Sequence, residues 1–156
     1  MTLYVGVLFA HSGLRWIVLA LTLAVSTRSA LGAWRQLPWS AAQERLHRAL
    51  LNAADLQLTL GIALYLWLSP FSRAFFHNPR VGVHDASLRF FGIEHAFGMV
   101  IAISLLHVGH ERAQRAAIDR DKQRRACWFT LTALLLMAAS VPWPFTPYPR
   151  PLWRGF

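Results

Sequence analysis

Four apolar stretches constrain this chain more than any other feature: residues 3–26, 49–68, 88–109 and 126–143. Each is about 18–24 residues long, close to the roughly 20 that a helix needs to cross a hydrocarbon core. Backbone inside a bilayer must satisfy its own hydrogen bonds, so only helices and closed barrels span it. None of the four stretches shows the alternation of a barrel strand. The expected fold is therefore all-α, a four-transmembrane-helix up-down bundle over residues 1–145. Its helices are predicted at about 3–27, 41–69, 86–112 and 120–141, followed by a Pro/Trp-rich interfacial tail at 146–156.

Composition agrees with a membrane protein. The chain is 55% hydrophobic, with a mean hydropathy of +0.35, above the balance of a soluble domain. Its formal charge of +9 would suggest nucleic acid in a soluble protein. At this hydropathy it reads as a topology signal, so a lipid bilayer is the expected partner and nucleic acid is not. One cysteine excludes an intramolecular disulfide and a CxxCH haem attachment. The first stretch lacks a basic leader and carries His11 and Arg15 within it, so it is expected to be a helix of the mature protein and not a cleaved signal.

Arginine and lysine orient the bundle. The 28–48 and 110–125 linkers hold Arg28, Arg35, Arg45, Arg48, Arg112, Arg115, Arg120, Lys122, Arg124 and Arg125. The other side holds Arg73, Arg80, Arg89, Arg150 and Arg154. The positive-inside rule then puts both termini and the 69–87 loop outside. Trp39, Trp67, Trp128, Trp143 and Trp153 lie near segment ends, as interfacial belts require. Ser40 with Gln43 resembles a capping box, Asp85 suits the N-cap of the third helix, and Pro142 and Pro144 stop the fourth.

Ionisable groups inside such stretches are costly and commonly mark function. His11, Arg15, Asp55, Glu94, His95 and His107 all lie within or beside them. At 1.5 Å per residue, His11 and His95 both fall roughly 10–12 Å from the outer ends of their segments. The first and third helices of an up-down bundle run in the same direction, so these imidazoles share a level. Two such groups suit the axial positions of one non-covalent haem b near the outer side. Arg15 and Arg89 are candidate partners for the anionic propionates, and Glu94 for an imidazole N–H. Gly13, Gly92 and Gly98 leave room for a flat ring or a neighbouring helix. The competing reading makes each histidine a hydrogen-bonding residue and pairs Arg15 with Glu94.

A second, inner constellation joins His47 and His107, with His110 nearby, as ligands of a second haem b. Asp55 and Gln57 suggest proton exchange with a quinone, or plain helix packing. His77, His84 and Asp85 in the outer loop, together with His11, Glu94 and His95, offer ligand types that copper and zinc accept, without regular spacing. The tail is read as an interfacial strap that closes the outer site or docks a partner. No nucleophile–base pair or phosphate loop occurs, so electron transfer or binding is expected over stand-alone enzyme activity.

"HSGLRW", "LQLTLGIALY", "LRFFGIEHAFGMVIA" and "SVPWPF" with "RPLW" resemble a family of small bacterial four-helix membrane proteins, often called cytochrome-b-like. The resemblance implies a multi-pass protein of the bacterial inner membrane and a haem b. It implicates His11, Arg15, Arg89, Glu94, His95, Trp143 and Arg150. Two functions follow as expectations. One is a b-type cytochrome-like carrier exchanging electrons with quinol or a redox partner. The other is a non-catalytic accessory subunit of a larger respiratory or photosynthetic membrane complex.

Overall fold

The structure is a computed structural model and describes residues 2–151. Among these residues every regular element is helical. Helix α1 spans Leu3–Arg35 and α2 spans Ala41–Ala63, continuing through a π-helical turn at Leu64–Leu68. Two short helices follow, α3 at Pro70–His77 and α4 at Pro79–Gly82. Helix α5, Ala86–Arg89, runs through a second π-helical turn at Phe90–Glu94 into α6, His95–Gln114. Helix α7 spans Asp119–Ala139.

Local chemistry accounts for the boundaries. The Ser40 hydroxyl accepts from the Gln43 N–H at 3.1 Å, and the Asp85 carboxylate accepts from the Leu88 N–H at 2.8 Å. Both are the expected caps. Pro70 and Pro79 open α3 and α4 behind the caps Ser69 and Asn78, because proline at a first turn forfeits no intrahelical bond. These two helices fill a linker that the sequence reading left irregular. Helix α1 runs two turns beyond its predicted end at 27. Residues 28–35 contain no proline and are rich in helix formers. The helix stops only at Gln36, which takes a left-handed conformation at φ 54° two residues before Pro38.

Three helices are long and apolar enough to cross a membrane: Leu3–Arg35, Ala41–Leu68 and Ala86–Gln114. The apolar part of α7, Ala126–Ala139, is about 21 Å long at 1.5 Å per residue, against a core of about 30 Å. Helix α7 packs along both α1 and α6, while α2 packs on α1 and more loosely on α6. Between them lies a core of Val18, Val25, Leu50, Ala54, Ala102, Ile103, Leu106, Ala133 and Met137. Small and polar groups share this interior: Ser26 donates to Thr130 at 2.9 Å across α1 and α7. The outward faces carry Ile17, Leu23, Phe97, Ile101 and Leu135. Apolar exteriors over small, polar interhelical contacts are the pattern of helices packed in lipid.

After α7 the chain folds back over one end of the helices. Trp143 donates its indole N–H to the Ala138 carbonyl at 2.8 Å, and Tyr148 stacks on Phe90 at 3.7 Å. The end it covers is where α1 and α6 begin and α2 and α7 finish. Trp153 and Arg154 lie outside the described residues.

Candidate functional site

Beneath that strap is a cavity of about 410 Å³, walled by apolar side chains of α1, α2, α6 and the end of α7. His11 and His95 both line it, with ring centres 6.2 Å apart and planes inclined at 73°. Depth matching along α1 and α6 was therefore enough to bring these two together. The spacing carries chemical information. Two imidazoles holding one metal from opposite sides, through bonds of about 2.0 Å, place their ring centres roughly 6 Å apart.

Each ring has a distinct support. His95 Nδ1–H donates to the Ser140 carbonyl at 2.7 Å, which fixes the ring and leaves Nε2 as its other nitrogen. Ser140 closes α7, and its hydroxyl lies where a Cβ on Gly98 would fall. His11 packs on the α2 backbone, since a Cβ on Gly61 would meet its Cε1 at 3.2 Å. The Gln57 amide donates to the His11 carbonyl at 3.0 Å and stands 3.3 Å from His11 Nε2. His11 Nδ1 is buried without a hydrogen-bond partner among the described residues. Gln57 was read from sequence with Asp55, as a proton-exchange or packing residue. Only the crossing of α1 and α2 reveals it as the neighbour of His11.

Two arginines face the same cavity. The Arg15 guanidinium lies over Trp16 at 4.9 Å. Arg150, on the strap, lies over Phe71 at 4.5 Å and Phe91 at 5.0 Å. The sequence reading placed Arg89 in the second arginine position, and the structure corrects this. Arg89 Nε donates to Glu94 at 2.7 Å and its guanidinium also reaches the Val83 carbonyl at 3.2 Å. Both side chains are more than two-fifths exposed, and neither lines the cavity. Glu94 thus supports neither histidine and does not pair with Arg15.

The two π-helical turns meet at the cavity rim. Tyr65, in the first, donates its hydroxyl to the Gly92 carbonyl of the second at 2.7 Å. A Cβ on Gly92 would strike the Phe75 ring, so α3 closes directly over this turn. By contrast, a Cβ on Gly13 would meet nothing within 4 Å, so Gly13 is not held by a close approach.

The inner constellation is rearranged. His107 Nε2 pairs with Asp55 at 2.7 Å. His47 lies against His110, ring centres 5.4 Å apart, and against Trp39 at 5.0 Å. The expected His47–His107 pairing is replaced, because i and i+3 positions of α6 face different neighbours on α2. Among the described residues no group of three His, Cys, Asp or Glu side chains is placed to hold a metal ion. The outer-loop copper or zinc set is thereby dismantled, with Asp85 committed to its cap and Glu94 to Arg89.

No protein-family model matches this chain, and comparison with curated proteins and with solved structures likewise gives no match.

Proposed function

We propose that the chain is a four-helix up-down membrane protein with both termini outside, set in a bacterial inner membrane, and that it holds one non-covalent haem b between His11 and His95. The observation that carries this reading is the convergence of two imidazoles, 6.2 Å apart, on one largely apolar cavity. A haem there supplies one-electron redox chemistry, exchanged with quinol or a redox partner. The residues present fit such a group. His95 is oriented by the Ser140 carbonyl, and the buried Nδ1 of His11 retains unused bonding capacity. Arg15 and Arg150 supply cationic groups for two carboxylates. Aliphatic and aromatic walls exclude water and so shape the potential.

The test is a reduced-minus-oxidised visible spectrum of detergent-purified protein, with haem quantified per chain. A b-type α-band at about one haem per chain is expected, lost in His95→Ala. A haem-replete preparation of His95→Ala with an unchanged spectrum would overturn the assignment.

One observation favours a second reading, an accessory subunit of a larger membrane complex. The Asp55–His107 pair joins two of the membrane-length helices, yet both side chains are about half exposed. Polar pairs facing lipid are costly, and a helix of another subunit would cover this one. Co-purification at fixed stoichiometry without a chromophore would support that reading over the first.

A further inference from the structure

A second concavity lies at the opposite end of the helices, between α1 and α7. It is an open groove lined by Ala30, Ala33 and Trp34 of α1 and by Arg120, Arg124, Cys127 and Trp128 of α7. We infer that this groove binds the phosphate headgroup of an anionic phospholipid, with an acyl chain lying along α1 and α7.

Four observations converge on that ligand. The two tryptophans are large and strongly exposed, Trp34 at 75% and Trp128 at 65%. Indoles in this state mark the level of lipid headgroups, where one edge is apolar and the other wet. The cations cluster beside them. Arg124 is 60% exposed and reaches Asp121 only at 4.0 Å, so its guanidinium is open to a second anion, and Arg35 adds a third cation over Trp34 at 5.6 Å. Ala30 and Ala33 are small, which lets a chain approach the α1 backbone. Beyond Trp128 the outward surface carries no charged side chain on α7, and Leu23 and Leu135 are more than half exposed.

The order along the helices is that of a lipid. α1 and α7 pack side by side, and the groove pairs Trp34, near the end of α1, with Arg120 and Arg124, near the start of α7. Charge sits at the helix ends and apolar surface lies deeper, as phosphate and acyl chain do. Basic pockets between helices on the cytoplasmic side select anionic headgroups in this way. The groove's place on the inner side rests on the membrane topology proposed above and is independent of any haem. On α1 it lies about 22 Å from Arg15, counting 1.5 Å per residue from Arg15 to the groove's nearest alanine, Ala30.

The full-length protein reconstituted in phosphatidylcholine vesicles tests this. Tryptophan quenching by brominated phosphatidylglycerol is compared with quenching by brominated phosphatidylcholine at equal mole fraction. The expected result is stronger quenching by the anionic lipid. Each arginine near an anionic headgroup is worth about fivefold in affinity, so Arg120→Gln with Arg124→Gln lowers the preference roughly 25-fold. Trp34→Phe with Trp128→Phe keeps the charges and removes the excess signal, which tests the site even if the arginine variant fails to fold. Equal quenching by both lipids, or an excess that survives the tryptophan substitutions, overturns the proposal. Abolition of the excess by inorganic phosphate would assign the arginines to a free oxyanion and overturn the lipid. Quenching by neither lipid would sink the membrane placement, and the groove's role with it.

Discussion

Arg89 and Glu94 stand five residues apart and form an ion pair of 2.7 Å. In an α-helix, positions i and i+5 point well apart around the axis. The π-helical turn at Phe90–Glu94 widens the spiral and brings them to one side. Glu94 is spent on Arg89, and the next residue, His95, carries the site. Alanine at either position therefore leaves haem content per chain unchanged and shifts stability by no more than about 1 kcal/mol, the range of exposed ion pairs. Pyridine haemochrome assay and thermal unfolding in detergent check the two halves of this prediction.

Gly98 faces Ser140 closely enough that an added Cβ must displace the hydroxyl, and the Ser140 carbonyl holds His95. Gly98→Ala is expected to cost about 1–3 kcal/mol as overpacking and to loosen the histidine. The spectroscopic readout is a broadened or shifted α-band at unchanged expression. Gly13→Ala is the control. With nothing within 4 Å of the new methyl, it is expected to stabilise by roughly 0.5–1 kcal/mol through helix propensity alone.

Gln57 bonds the backbone carbonyl of His11 and stands beside its ring. Gln57→Leu is close in size and removes both interactions. Interhelical hydrogen bonds in membranes average about 0.6 kcal/mol and reach about 1.7, so a modest loss of stability is expected. The sharper effect falls on the site, because His11 loses the group that places it against Gly61. A weaker haem complex, measured by transfer to apomyoglobin, is the expected outcome. An unchanged transfer rate would remove Gln57 from the site.

Gln36 ends α1 in the left-handed region at φ 54°, where a side chain costs on the order of 1 kcal/mol. Gln36→Gly is expected to recover most of this, raising the unfolding midpoint with no change at His11, 25 residues back along the chain. Thermal melts of the two proteins in one detergent check it.

The legible parts of this architecture are those written in local chemistry. Hydropathy marks four apolar stretches, of which three form membrane-length helices, and Ser40 and Asp85 announce the caps they form. His11 and His95 are found by depth alone, since helical rise converts residue number into height. What stays hidden depends on helix crossing and backbone register. No spacing along the chain links Gln57 to His11 or Ser140 to His95, and neither π-helical turn has a residue signature. For that reason Arg89 is picked out beforehand as the second propionate partner, and Arg150 enters only through the resemblance. His47 is matched with His107 for a related reason: the register that sets His107 on Asp55 and His110 against His47 is a property of packing.

Helix α1 is an unbroken rod of 33 residues, about 50 Å from end to end and longer than the hydrocarbon core it would cross. His11 sits near one end, and the arginines and Trp34 sit at the other. A helix with neither proline nor π-helical turn along its length moves largely as one body, so a tilt that moves His11 must swing its far end as well. Whatever grips that far end, lipid or protein, holds a lever on the histidine's position.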